Sequence, residues 1–425
     1  MHDFKYKNAE LYAEDVPVSR IAKEFGTPVY IYSHNTLLRH LNAYRQAFDG
    51  HKHIICFALK ANSNSALLKL LAKNGSGADV VSGGELYLAL KAGIPAKKIV
   101  YAGVGKSDDE IAYALRSNIL MFNVESSDEL KAISKVAKKL KVKAPIALRV
   151  NPDIDPKTHP YISTGLKESK FGIPIGDALE NYSLAKRLPN IEILGIHKHI
   201  GSQITEIRPF IDALKKVLQL TKKLKEMGIN IRNLDIGGGL GINYNNDSPP
   251  IPKDLSNAIL PLIKKFDINL ILEPGRSIAG NAGILVTKAL YIKKHAGSGR
   301  SREKKEFAVV DAGMNDLLRP SLYNAFHSII PVRKNRRGKI MTDIVGPICE
   351  SSDFMGKNRM INHVMPGDLL AVMSAGAYGF TMSSTYNSRP RVPEVLVKGN
   401  NYYLIRERED YKDLTRGIKI PEFLK

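Results

Sequence analysis

The chain has 425 residues, 44% hydrophobic and 25% charged, a balance that excludes a disordered or fibrous polymer and leaves room for two globular domains. Lys and Arg number 63 against 42 Asp and Glu, a net charge of +21. The cations, however, fall at helical spacing in stretches such as 131–143 and 214–226, with two denser patches from Lys293 and Arg333 that read as loops, so a nucleic-acid partner is not expected.

The N-terminus is polar and lacks the apolar core of a signal peptide, and no apolar run is long enough to span a bilayer. Two cysteines, Cys56 and Cys349, make neither a disulfide framework nor a zinc spacing. The expected location is the cytoplasm.

Within the first stretch, "TPVYIYS" reads as a strand of either domain. From Ile54 a rhythm begins in which short apolar runs alternate with helical patterns. The runs are "IICFALK", "ADVVS", "KIVYAG", "LMFNVE", "PIALRVN", "ILGIHKHIG", "NLDIGGG" and "LILEPGR". The helical stretches between the first of them stop at Gly75 and Gly93, where a left-handed residue closes a helix at little cost. This alternation predicts a parallel sheet, and eight such units predict a (β/α)8 barrel. After about Ala279 the helical period thins out. The runs "FAVVDAG", "MTDIVGPIC", "DLLAVMSAGAYG" and "PEVLVKGNNYYLI", with turns at Pro366–Gly367–Asp368 and Gly399–Asn400, predict an antiparallel β domain.

A barrel of this kind builds its active site at the carboxyl ends of its strands. There the sequence places Lys60, Asp79 and Ser82, Asn123 and Glu125, Arg149 and Asn151, His197 and His199, Gly237 to Gly239, and Glu273 with Arg276. A lysine at the end of a buried strand is a candidate nucleophile, because a dry pocket favours the neutral amine. The triple glycine lets backbone N–H groups approach an anion. It is neither a dinucleotide fingerprint, since Ile242 stands where the third glycine belongs, nor a Walker loop. "EPGRS" adds a second flexible turn. His197 and His199 share one face of a strand, a zinc-like spacing, but strands seven and eight bring no histidine, so no metal is expected. The alternatives are a flat imidazole against an aromatic cofactor or, for His197, a hydrogen-bonded core residue. A pocket lysine, a phosphate cradle, a histidine ring and a carboxylate together describe a pyridoxal-phosphate site, with Lys60 carrying the cofactor and Glu273 facing its pyridine nitrogen.

The motifs "FGTPVYIYS", "FALKANSN", "GADVVSGGEL", "HKHIGSQI", "DIGGGLGI", "EPGRSI", "MNDLLRPSLY", "GPICESSDF" and "GAYGFTMSSTYNSRPR", in this order, resemble the diaminopimelate decarboxylases of the fold type III, alanine-racemase-like pyridoxal-phosphate group over nearly the whole chain. The resemblance implies a barrel over 31–280, a β-sandwich over 281–425 that the N-terminal segment 1–30 joins, and a homodimer with active sites at its interface. It implies decarboxylation of meso-2,6-diaminopimelate to L-lysine and CO2, the last step of lysine biosynthesis. An ornithine, arginine or carboxynorspermidine decarboxylase of the same fold is the alternative. Lys60 matches the cofactor lysine, and His199 rather than His197 matches the histidine stacked on the ring. Asp79, Ser202, Gly238, Gly239, Glu273, Pro274, Gly275, Arg276 and Tyr378 match cofactor contacts. Arg276, Arg319, Tyr323, Glu350 and Tyr378 match substrate contacts. Cys349 matches a proton donor that reaches the neighbouring subunit's site, whereas Cys56 reads as core packing. Two features stand apart: Ser352 replaces a glycine common in relatives, and Lys198 between the histidines is expected to point outward.

Overall fold

The computed structural model describes residues 2–156, 164–165, 169–245, 247–295 and 305–425, and the chain divides into two compact units, 38–278 and 1–37 with 279–425. Most of the basic patch that begins at Lys293 lies outside the described residues.

The unit 38–278 is a closed barrel. Its strands are β1 (His53–Ala58), β2 (Gly77–Val80), β3 (Ile99–Tyr101), β4 (Met121–Val124), β5 (Ala144–Asn151), β6 (Ile191–His197), β7 (Asn233–Asp235) and β8 (Asn269–Leu272). Each pairs in parallel with the next, and β8 returns to β1 with Ile271 opposite Ile54, so no edge is left open. All eight apolar runs of the sequence form these strands.

The connecting helices form where local signals agree with the pattern. Ser107 caps the helix Asp108–Arg116 in a reciprocal capping box with Glu110. Asn64, Ser82 and Ser126 cap three others through their side chains. Gly75 and Gly93 adopt φ of +73° and +85° just past their helices, and the residues after them bond back to Leu71 and Ala89. Inside the barrel, Cys56, Val100, Met121, Ala147 and Ile271 form a dry plug beneath the strand ends. Burial pushes the Cys56 thiol well up, which keeps it neutral and inert.

The second unit carries a three-stranded antiparallel sheet (Phe4–Lys7, Glu10–Ala13, Val16–Pro17) and a larger one. In the larger sheet Gly283–His295 pairs antiparallel with Val29–Ser33, Lys305–Val310 and Leu369–Val372. "TPVYIYS" thus becomes a strand of this unit. The sheet is mostly antiparallel but has two parallel pairs, Val29–Ser33 with Glu394–Lys398 and Lys305–Val310 with Lys339–Val345. Parallel neighbours need long crossovers, and the intervening segments supply them. The strand Phe354–Asn362 gave little apolar signal, because much of it is exposed or half-exposed. Gly399, at φ +59°, turns the hairpin between Glu394–Lys398 and Asn401–Arg406.

Gly77 on β2 is fixed by a close approach: a Cβ there would lie 2.3 Å from the Lys98 carbonyl oxygen. That atom is backbone and cannot rotate away. Gly77→Ala should therefore cost at least about 2 kcal/mol in denaturant unfolding. An unchanged midpoint would contradict this packing.

Candidate active site

The polar ends of the barrel strands converge. Lys60 follows β1 on a single 3-10 turn, Leu59–Ala61, and its Nζ lies 2.6 Å from Asp79 Oδ2 on β2. The lysine side chain is 37% exposed while the aspartate is fully buried, so the amine is tethered at the mouth of the site yet accessible. Burial, then the nearby Glu273, raises the Asp79 carboxyl, and Lys60 opposes both.

Deeper in, four strands contribute to one polar cluster. Asn123 of β4 donates from Nδ2 to Asp235 Oδ2 at 3.0 Å and to Glu273 Oε1 at 3.1 Å. His197 Nε2, at the end of β6, stands 3.4 Å from Glu273 Oε2. Asp235 Oδ1 accepts from the Gly237 N–H at 2.9 Å. Burial alone would raise Glu273, but His197 and Lys60 beside it and a hydrogen bond from Asp235 hold it well below the usual carboxylate range. Asp235 is pushed up by burial and by Glu273, so it takes the proton and donates to its neighbour. The result is one buried carboxylate kept ionised by another kept neutral.

His199 is buried and its Nδ1 accepts the Gly238 N–H at 3.2 Å, which leaves the proton on Nε2. Burial first, then Arg149 and Lys60, lowers its basicity, so the ring stays neutral. The glycine loop cannot carry side chains. A Cβ would meet Lys198 O at 2.7 Å from Gly237, Glu273 O at 2.2 Å from Gly238 and Gly201 O at 2.4 Å from Gly239. Gly237 and Gly239 also need φ of +67° and +106°. Arg276 closes this side, donating from Nη2 to Ser202 Oγ at 3.0 Å and from Nη1 to Tyr244 OH at 2.8 Å. Pro274 accepts the Ala58 N–H at 3.1 Å, and a Cβ on Gly275 would meet Ala61 at 2.9 Å, so the "EPGR" turn is packed against the end of β1. Arg149 pairs with Glu125 at 2.6 Å.

Asp79 Oδ1, Asn123 Oδ1 and His197 Nδ1 are buried without a hydrogen-bond partner, and His197 Nε2 has only the Glu273 carboxylate beside it. Such a concentration of unsatisfied polar atoms below the barrel strand ends fits a polar ligand rather than a packed core. Atoms of His197, Asp235 and Glu273 also lie within 4.8 Å of one another. His199 is turned instead to the glycine loop, so the two histidines do not converge as a zinc pair would.

Lys198 corrects one expectation. It points away from the barrel axis, but that side is covered by the helix Arg208–Glu226, and its Nζ sits 5.1 Å from the centroid of Phe210. It is buried, and desolvation pulls its pKa down to about 8. Asp235 and Tyr244 were not singled out in the sequence. The signal for Asp235 was present: a charged residue inside "NLDIGGG".

The other predicted residues belong to the second unit. Arg319 opens the short helix Arg319–Tyr323, and its Nη1 is 2.7 Å from His327 Nε2. Cys349 is exposed and free, and its N–H donates to Asn387 Oδ1 at 2.9 Å. Glu350 accepts from Tyr386 OH and from Ser352 Oγ, and these two bonds lower its pKa. Ser352, the departure noted in the sequence, thus steadies the adjacent carboxylate. Tyr378 adopts φ +56°, a strained backbone for a tyrosine.

Residues 34–280 match the pyridoxal-dependent decarboxylase, pyridoxal-binding domain. The chain is 53% identical to the diaminopimelate decarboxylase of Aquifex aeolicus (strain VF5), over 96% of this chain and 95% of that one. It is 51% identical to that of Haemophilus influenzae (strain ATCC 51907 / DSM 11121 / KW20 / Rd), over 97% and 98%. Among solved structures, that of diaminopimelate decarboxylase from M. jannaschii in co-complex with L-lysine superposes with a TM-score of 0.94 at 40% identity, covering 100% of both chains. That of the Helicobacter pylori enzyme complexed with L-lysine gives 0.89 at 45% identity, covering 94% and 98%. Matched along nearly its full length by sequence and by fold, the chain belongs to the diaminopimelate decarboxylase family of pyridoxal-dependent decarboxylases.

Proposed function

We propose that the chain decarboxylates meso-2,6-diaminopimelate to L-lysine and CO2 with pyridoxal phosphate as cofactor, and that it does so as a cytoplasmic homodimer, the last step of lysine biosynthesis. The observation that carries the reading is a tethered Lys60 amine in the same barrel mouth as a buried, ionised Glu273.

The residues present fit the cofactor. The glycine loop is stripped of side chains, Ser202 accepts from Arg276 and so keeps its own O–H to donate, and the orphaned buried atoms call for a partner. Gly239, Ser202 and the Pro274–Gly275–Arg276 turn would hold its phosphate, and Lys60 would carry it as the cofactor lysine. Gly238 serves it through His199, whose neutral ring offers a flat uncharged face. Pyridoxal phosphate, when bound, supplies an electron sink for the negative charge left on the substrate α-carbon as CO2 departs. Glu273, ionised, would hold a proton on the ring nitrogen and so deepen that sink. Asp235, Asn123 and His197 keep Glu273 in that state. Asp79 positions Lys60.

The second unit supplies recognition and protonation. The distal end of diaminopimelate carries an ammonium and a carboxylate. Glu350, anionic under the hold of Tyr386 and Ser352, takes the ammonium, and Arg319 takes the carboxylate with its planar fork. Tyr323 and Tyr378 complete the substrate contacts, and Arg276 serves the substrate as well as the cofactor. Cys349 delivers a proton to the α-carbon. In the homodimer Cys349 and Glu350 act in the neighbouring subunit's site. The same reading divides the chain into a cofactor-binding barrel and a β domain that the N-terminal segment joins, with the boundaries at 37/38 and 278/279 rather than at 30/31 and 280/281, because Val29–Ser33 is a strand of the β domain.

A product assay tests the reading. Purified protein with pyridoxal phosphate is given meso-diaminopimelate, ornithine or arginine, and products are identified by mass. Lysine from diaminopimelate alone is expected. Putrescine or agmatine would overturn the substrate assignment while leaving the cofactor site standing. Lys60→Ala should lose both turnover and the visible absorbance of lysine-linked cofactor, and normal turnover in that variant would refute the assignment of Lys60. Cys349→Ala should keep the absorbance yet lose at least roughly 10²-fold in kcat, the usual scale for a positioned acid. Glu350→Ala should raise KM for diaminopimelate by roughly 10- to 100-fold, the loss of one charge-assisted contact, with cofactor affinity unchanged. Equal losses in substrate and cofactor affinity would count against a role at the distal end.

A further inference from the structure

Arg319 is 6% exposed, and a flexible side chain of that length needs a support to present its fork in one orientation. The support in the structure is a fully buried histidine. Arg319 Nη1 lies 2.7 Å from His327 Nε2, and His327 Nδ1 lies 2.8 Å from the Met373 carbonyl oxygen. Chemistry fixes the proton positions. A guanidinium only donates and a carbonyl only accepts, so Nε2 must be the acceptor and Nδ1 must carry the hydrogen. The imidazole is therefore a neutral relay between a backbone carbonyl and a cationic fork.

The backbone is built to place it. The helix Arg319–Tyr323 ends on Asn324 in the left-handed conformation, φ +50°, whose N–H returns to the Arg319 carbonyl. The chain then reverses, and Ser328 accepts the Met373 N–H at 2.8 Å, which pins the residue next to His327 to the strand end that also holds its ring.

We infer that His327 is a positioning residue for Arg319 and thereby a determinant of selectivity for substrates that carry a distal carboxylate. A carboxylate in this place would orient the guanidinium equally well but would neutralise it and compete with the substrate. A neutral imidazole acceptor fixes the plane of the fork without itself neutralising the charge. This inference rests on the reading of Arg319 as the distal-carboxylate contact.

The test is steady-state kinetics of the full-length holoenzyme on meso-diaminopimelate for Arg319→Ala, His327→Leu, His327→Gln and the double variant Arg319→Ala/His327→Leu. Removing the acceptor in His327→Leu should raise KM roughly tenfold. The kcat should change less than about twofold, and the cofactor absorbance not at all. His327→Gln, whose amide oxygen accepts and whose NH2 donates, should recover most of the affinity. In the Arg319→Ala background His327→Leu should add nothing, since its effect runs through the arginine. A raised KM in Arg319→Ala with an unchanged KM in His327→Leu would overturn the inference and leave the Arg319 reading intact. An unchanged KM in Arg319→Ala would remove that reading itself. Additive effects in the double variant would also overturn the inference. Should the leucine variant not fold, His327→Gln against His327→Asn carries the test. The asparagine amide is one methylene shorter and cannot bridge both partners, so equal KM values would refute the relay.

Discussion

The site depends on an ionised glutamate where water cannot reach it. Glu273 is buried just past the last strand of the barrel, and desolvation of a carboxylate there costs several kcal/mol unless neighbours answer for its charge. Three do. Asp235 surrenders its own charge and donates a hydrogen bond, Asn123 donates another, and His197 stands beside it. Two adjacent buried carboxylates cannot both ionise, and the environment decides which one does. Here the decision favours Glu273.

This choice explains much of the barrel's geometry. The four residues come from β4, β6, β7 and β8, and only a closed parallel sheet brings those strand ends together. His197 lies opposite Asp235, and Asp235 opposite Ile271 two residues before Glu273, so the register between β6, β7 and β8 sets the spacing of the cluster. A slip of one residue would turn each side chain to the wrong face. The glycine loop plays a second part. Because Gly237 and Gly238 have no Cβ, their backbone can lie against His199 and the Glu273 carbonyl, and their N–H groups orient His199 and Asp235. Function and fold are coupled through the same few atoms.

Much of this was legible in the sequence, for definable reasons. Parallel strands buried on both faces leave continuous apolar runs, and a charged residue at the end of such a run stands out. Lys60, Asp79, Glu273 and the triple glycine were readable in that way. Asp235 was less so, because it precedes the glycines and looks like part of the loop motif rather than a proton reservoir. The burial of Lys198 was misjudged because strand alternation tells which way a side chain leaves the barrel but not whether a helix covers that side. The parallel pairs of the second unit were hidden because pairing partners far apart in sequence leave no local signature. His327 was invisible for a related reason. Its meaning lies in a bond to Arg319, and a histidine eight residues on from an arginine across a left-handed turn has no characteristic spacing.

The most direct measurement is the protonation state of the bound cofactor's ring nitrogen. Holoenzyme reconstituted with 15N-labelled pyridoxal phosphate and studied by NMR across the neutral pH range would report it. The account predicts a protonated nitrogen that does not titrate in that range and becomes unprotonated in Glu273→Gln. A nitrogen that is unprotonated in the wild-type enzyme, or whose state is indifferent to Glu273, would contradict the claim that the buried carboxylate pair is arranged to hold that proton.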